Sequence, residues 1–532
     1  MKRLLLSGAA VLLTAMSFAQ NVTTVDQVGT SQTATVGQIG NNLTATVSQN
    51  QGGSTNTSNT GVISQTGTAH TGTILQNNGS TFNRAGMTQW GTGPGSNTAT
   101  ISQSNGSGGS SFRGQARTGT PNATSGNWAG TWQLGSQNAA TVTQDGANTK
   151  GNFGEAWQQG TTNTATITQS AANNGIAEIF QGNDTRPTDN DEGMTATNVS
   201  SNTASVDQSN SANNIAKVKQ FSNSNKATVN QNTVGSTNNL AFVRQGDGSD
   251  PAGQSGNTAF IEQVGANSTL NSATVVQTGQ NGTAQVSQIG NSSNNTALID
   301  QVNGFQSNAT ILQSSYGGPS SNNKGSITQY GDAGGAYHIA AIVQDNATGN
   351  TATIQQGALG ISTNHDYAYI NQVGGVSSST ATINQNTTAN GSFNNAQIDQ
   401  IGGSLNQALV SQQGSFNVAG LIQTGGSSNT ATVSQTGNNN VVGGPGMTTQ
   451  YNSLPANSYA IQNGSNNSMT VTQVAPTSGL SANSAILSQI GTGHTIVLDQ
   501  TITAGGASNT STITQTGANN MAMVTQVNGV AP

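Results

Sequence analysis

Gln158-Gln-Gly160-Thr-Thr-Asn163-Thr-Ala165-Thr-Ile167-Thr-Gln169 decides how the rest of the chain is read. Asn163, Ala165, Ile167 and Gln169 fall at every second position, with Thr164, Thr166 and Thr168 between them. A period of two predicts a β-strand with two unlike faces. One face is Asn-Ala-Ile-Gln and points inward; the other is a row of threonines. Gly160 and its neighbours supply the turn that precedes the strand.

The pattern recurs along nearly the whole chain. Ala34-x-Val36-x-Gln38-x-Gly40 and Ala45-x-Val47-x-Gln49 follow it near the start. Asn97 to Gln103, Asn202 to Gln208, Asn257 to Gln263, Asn295 to Gln301, Asn350 to Gln356 and Asn429 to Gln435 keep the same offsets. Roughly 38 such segments make this a repeat architecture rather than a string of globular domains. Gln133 and Gln144, Gln158 and Gln169, Gln412 and Gln423, and Gln515 and Gln526 are each eleven residues apart. Eleven residues hold one strand of about six or seven and a turn of about four. Shorter and longer connections alternate, which predicts two strands per coil. Stacked coils then form an all-β solenoid of two facing parallel sheets. About 19 coils at roughly 4.8 Å each would span about 90 Å.

Composition agrees. The chain has 532 residues, yet hydrophobic residues make up 32%, aromatic residues 4% and charged residues 6%. That is too little for layers of Leu and Phe, and too little charge for an extended disordered polymer. Asn, Gln, Thr, Ser and Gly fill the difference. Unpaired, each buried amide would cost a few kcal/mol. Stacked in register, each amide meets a copy of its own donors and acceptor, as in cross-β ladders. The inward ladder is expected to comprise Asn127, Gln133, Asn138, Gln144, Asn152, Gln158, Asn163 and Gln169. Farther along it comprises Asn406, Gln412, Asn417, Gln423, Asn509, Gln515, Asn520 and Gln526.

Residues 1–19 read as a secretory signal: Lys2-Arg3, the apolar run Leu4 to Leu13, and the small-x-small site Ser17-Phe18-Ala19. Removing it leaves 10 Lys+Arg against 18 Asp+Glu, a net charge of −8. That balance offers no basic surface for nucleic acid. The absence of cysteine excludes disulfides and thiolate metal sites. Residues 20–532 read as one repeat array, weaker near 104–127 and 182–198.

No constellation predicts an enzyme or a cofactor. His70, His338, His365 and His494 sit in different repeats without a Ser, Cys or Asp pattern beside them. Asp189-Asn-Asp191-Glu192 lacks the spacing of a calcium loop. Trp132 and Trp157 directly precede Gln133 and Gln158, so they point outward with Trp128. Such aromatics could contact glycans or a matrix surface. Asp26, Asp207, Asp300, Asp399, Asp499, Lys219, Arg244 and Glu262 share that outward position, where sparse charge opposes lateral aggregation.

Gln133-x-Gly135-x2-Asn138-x-Ala140-x3-Gln144 resembles the curlin repeat, the unit of curli functional-amyloid subunits. Gln158 to Gln169, Gln412 to Gln423 and Gln515 to Gln526 resemble it equally. The resemblance implies a secreted β-solenoid that polymerises into cell-surface fibres for biofilm matrix and adhesion. It also implies a nucleator subunit and outer-membrane export machinery as partners, with the inward Gln and Asn residues serving polymerisation. The chain departs from the family in several respects: Asn127, Asn152, Asn406 and Asn509 stand where its first strand opens with Ser, the array is far longer than in ordinary subunits, and repeats are expected to start directly after the signal with no separate targeting segment for an export pore. Two rival readings are a non-polymerising adhesin and an ice-binding solenoid, the latter through Thr164, Thr166 and Thr168 with Thr510, Thr512 and Thr514.

Overall fold

A computed structural model describes residues 20–49, 58–77, 82–91, 95–104, 126–146, 149–182, 199–247, 254–315, 319–331, 337–361, 363–443, 459–477, 481–503 and 505–529. The signal, the acidic run at 189–192 and most of the two weak-repeat regions lie outside them. The described residues carry strands and no helix, and the strands pair in parallel into two facing sheets. They fall into two compact units, one within 1–174, 178–183 and 197–201, the other within 175–177, 184–196 and 202–532.

In the first unit, one sheet runs through Val22–Gln27, Thr44–Gln49, Thr71–Asn77, Thr98–Ser104, Ala139–Gln144 and Thr164–Thr168. The facing sheet runs through Thr33–Asn41, Thr60–Thr68, Arg84–Gly91, Trp128–Ser136 and Phe153–Thr161. Pairing is in strict register: Ala165 lies beside Ala140, Ile167 beside Val142, and Gln158 beside Gln133. The second unit repeats the plan, for example Ala352 beside Ala381 and Ile354 beside Ile383.

The period of two is visible in burial. Thr71–Asn77 alternates half-buried and buried residues along its length, with Gly72, Ile74 and Gln76 enclosed. The core between the sheets is one small residue and one branched aliphatic per strand, such as Ala165 with Ile167 or Ala352 with Ile354. Enclosing one Val or Ile stabilises the fold by about 1.5–3 kcal/mol, so the core is built by repetition rather than by bulk.

Glycine is required at the corners. Gly135 has φ +113°, and a Cβ there would lie 2.1 Å from the carbonyl oxygen of Gly160 in the next coil. Gly135→Ala meets both a left-handed backbone and a neighbouring backbone that cannot move independently. It should destabilise the first unit by about 2 kcal/mol or more, measured as a lower denaturation midpoint. An unchanged midpoint would mean that the corner can open.

Candidate functional site

The candidate site is the inward polar ladder. Each glutamine side chain donates from Nε2 to Oε1 of the glutamine one coil on. In the first unit, Gln27, Gln49, Gln76, Gln103, Gln144 and Gln169 form one such chain, at 2.6 to 2.8 Å. On the facing sheet Gln38, Gln65, Gln89, Gln133, Gln158 and Gln181 form another, at 2.8 to 2.9 Å. The second unit extends the same arrangement over more rungs. There Gln412 donates to Gln435 at 2.8 Å, Gln423 to Gln462 at 2.8 Å, Gln489 to Gln515 at 3.1 Å, and Gln500 to Gln526 at 2.7 Å.

The second Nε2 hydrogen has a different use. Gln133 reaches the carbonyl of Thr98 at 2.9 Å, Gln144 that of Trp128 at 2.9 Å, and Gln158 that of Ala139 at 2.9 Å. Each acceptor opens a strand of the opposite sheet. One amide therefore joins coil to coil and sheet to sheet, and its hydrogens are satisfied without water.

The asparagines add backbone contacts to the side-chain ladder. Oδ1 of Asn127 and Asn138 accepts the backbone N–H of Asn152 and Asn163, both at 3.1 Å. Oδ1 of Asn406 accepts the backbone N–H of Asn429 at 3.1 Å, and the N–H of Asn417 reaches Asn394 at 3.1 Å. Their Nδ2 groups reach backbone carbonyls, as Asn138 does to Gly160 at 2.9 Å and Asn152 to Ala172 at 2.7 Å. Asn163 and Asn417 do the same, to Val199 at 3.1 Å and Gly437 at 2.8 Å. Direct amide pairs also occur, including Asn509 to Asn483 at 3.0 Å. The shorter side chain thus reaches backbone as well as its own copy: Asn152, Asn429 and Asn440 donate to Asn127, Asn406 and Asn417 at 3.3, 3.1 and 3.0 Å.

Burial separates the ends from the interior. Asn127, Gln133, Asn138, Gln144, Asn152, Gln158, Asn163, Gln169, Asn406, Gln412, Asn417 and Gln423 are all enclosed. Asn509 and Gln515 are slightly open, Gln526 is half-buried and Asn520 is exposed. Val22–Gln27 is exposed at every residue, and Met521–Asn528 is exposed or half-buried throughout. These end strands have a neighbour on one side only among the described residues.

Three histidines occupy asparagine positions, which reading the sequence did not reveal. Nδ1 of His70 accepts the N–H of Asn97 at 3.2 Å, and Nδ1 of His494 accepts that of Asn520 at 3.3 Å. Nε2 of each faces a backbone carbonyl four residues back, Thr66 at 3.2 Å and Ile490 at 3.1 Å. The neutral imidazole thus copies the amide, with Nδ1 standing for Oδ1. Burial lowers the affinity of His70 for a proton, which preserves that role. The third, His338, precedes Asp366 one coil on. The signal was available: His70, His338, Asp366 and His494 each stand six residues before Gln76, Gln344, Gln372 and Gln500, as Asn138 stands before Gln144.

Trp128, Trp132 and Trp157 lie on the outer face, half-buried. Trp128 stacks on Phe153 with ring centroids 4.4 Å apart, and Trp132 stacks on Trp157 at 5.8 Å. The outward charges are less uniform than expected. Lys219 and Asp399 are enclosed, and burial raises the Asp399 carboxyl while Gln397 donates to it at 2.9 Å. Among the described residues no group of three or more His, Cys, Asp or Glu is placed to hold a metal, and no helix is long and apolar enough to cross a membrane.

Residues 21–50, 403–437 and 426–474 match the family pattern described as the curlin associated repeat. No match is found among curated proteins. The matched repeat and the parallel solenoid point to a structural protein.

Proposed function

We propose that this chain is a secreted subunit that polymerises end to end into curli-like fibres at the cell surface, serving biofilm matrix and adhesion. The observation that carries the reading is the open end strands. Among the described residues each pairs with a strand on one side only, which leaves its other edge as a template for another strand. The ladder also has a direction. Every glutamine rung described runs from Nε2 of the earlier coil to Oε1 of the later one. Gln27 therefore offers Oε1 at one end, beside Gln38, whose Oε1 accepts Oγ1 of Thr23 at 2.8 Å and keeps a second lone pair; Gln515 and Gln526 offer Nε2 at the other.

Joining one copy's last coil to the next copy's first coil continues both sheets. Gln515 then donates to Gln27 of the next copy, and Gln526 donates to Gln38. Two like ends would set donor against donor. Such a heterologous joint does not close on itself, so it yields a fibre. A nucleator subunit and outer-membrane export machinery are the partners this reading brings with it.

Mature protein, purified and incubated, should form fibres visible by negative stain. Their diffraction should show the roughly 4.8 Å spacing along the fibre axis. Persistence as single particles after long incubation would overturn the reading.

A further inference from the structure

Among the described residues the amide ladder contains one rung where two ionisable side chains meet. His338 and Asp366 occupy successive asparagine positions and are 0% and 1% exposed. Nε2 of His338 lies 3.1 Å from the carbonyl oxygen of Tyr330 and 3.0 Å from Oγ1 of Thr363. A carbonyl only accepts, so Nε2 carries a hydrogen. In a neutral ring Nδ1 is then a bare lone pair. It is buried and has no hydrogen-bond partner. What faces it is Oδ2 of Asp366, at 3.9 Å.

Asp366 is already well supplied with donors. Oδ1 accepts the backbone N–H of Asn394 at 2.9 Å and its Nδ2 at 3.1 Å, and Oδ2 accepts Nδ2 of Asn386 at 3.0 Å. A carboxylate oxygen and a nitrogen lone pair facing each other in an enclosed space repel. One proton between them removes the repulsion. Separated charges at full burial would carry a desolvation cost that a contact of this length does not offset.

We propose that His338 and Asp366 bind one proton as a neutral pair, held on Oδ2 of Asp366 and directed at Nδ1 of His338. This proton lets two ionisable residues fill rungs built for amides. Desolvation supports the assignment from both sides: it holds His338 down to about 4 and pushes Asp366 up to about 7. The other titratable neighbours do not supply a counter-charge. His365, exposed beside Asp366, opposes protonation of His338. Tyr330, Tyr337 and Tyr367 are phenols and carry no positive charge in any protonation state. Lys324 is exposed at the start of the strand that ends at Tyr330, and Asp345 closes the strand that His338 precedes and bonds to Ser314 at 2.7 Å.

The pair has an unusual linkage. Unfolded, at pH 5, the proton sits on histidine, whose ordinary value is 6.5, and the carboxyl, at 3.8, is ionised. Folded, the proton sits on the carboxyl and histidine is neutral. Both states bind one proton, so the pair adds no slope to stability between about pH 4 and 6.5. Each partner alone would add one, in opposite directions. A lone buried His338 favours folding only when neutral, so its contribution is lost as pH falls from 6.5 towards 4. A lone buried Asp366 favours folding only when protonated, so its contribution is lost as pH rises from 3.8 towards 7.

Asp366→Asn and His338→Asn test this in the full chain, and both install the residue that other coils carry at that rung. The readout is hydrogen exchange of the Ile339 and Asn394 amides, taken as a ratio to the unsubstituted protein at each pH. The ratio for Asp366→Asn should rise on the order of a hundredfold from pH 6.5 to 4. That for His338→Asn should rise by a similar factor from pH 4 to 7, and the double variant should be flat. Nitrogen-15 spectra at pH 5.5 give an independent reading: the His338 resonances, identified by their loss in His338→Asn, should show one bare and one protonated nitrogen. Two protonated nitrogens, or single variants that track the unsubstituted protein across the range, would overturn the proposal.

Discussion

Lysine placed at both Ile513 and Val524 should stop growth at one fibre end. Both residues are half-buried in the last coil, whereas their counterparts in interior coils, such as Ile327 and Ile354, are fully enclosed. In an isolated molecule the new ammonium groups can reach water past the open end. In a joint they would lie between two sheets with no counter-charge, at several kcal/mol each. Elongation should fall by at least about tenfold. The first coil of the variant is untouched, so it can still add to an unmodified fibre and then block it. Small amounts mixed with unmodified protein should therefore shorten fibres, measured by length distributions in negative stain. Thr353→Lys, on an outer face, should leave growth unchanged. Normal elongation by the double variant would show that the last coil is not the joint.

Gln372→Ala should cause a large loss of stability in the second unit. Gln372 is fully enclosed, accepts from Gln344 at 2.8 Å and donates to Gln400 at 2.7 Å. It also reaches the carbonyls of Thr351 and Ser379, both at 3.4 Å. Truncation leaves a donor on Gln344 and an acceptor on Gln400 enclosed and unmatched, each costing about 1–3 kcal/mol. Together with the void, the expected loss is about 3–5 kcal/mol, read from denaturant unfolding of monomer held below the concentration for assembly. Thr353→Ala, which faces outward and removes no member of the ladder, should cost less than about 0.5 kcal/mol. Equal effects of the two substitutions would mean that the ladder contributes register but little energy.

The alternation in Asn163-Thr-Ala165-Thr-Ile167-Thr-Gln169 was sufficient to determine strand, inward face, repeat and two-sheet solenoid. A period of two has one structural meaning, and dozens of copies leave little room for another. The destination of each polar hydrogen was not legible. Sequence marks Gln144 as inward, but only the facing sheet shows that its second hydrogen goes to Trp128. Sequence treats asparagine and glutamine as equivalent ladder amides. The structure separates them, because one methylene fewer makes the next backbone N–H the nearer partner for Asn138. His70, His338 and His494 looked like isolated residues because their chemistry was weighed by type. Their offset from the following glutamine placed them on the ladder, but an imidazole becomes an amide substitute only where a backbone N–H from the next coil meets Nδ1. The identity of inward residues was thus set by periodicity, which is local, while their bonding was decided by what the adjacent coil and the opposite sheet bring within 3 Å, which is not.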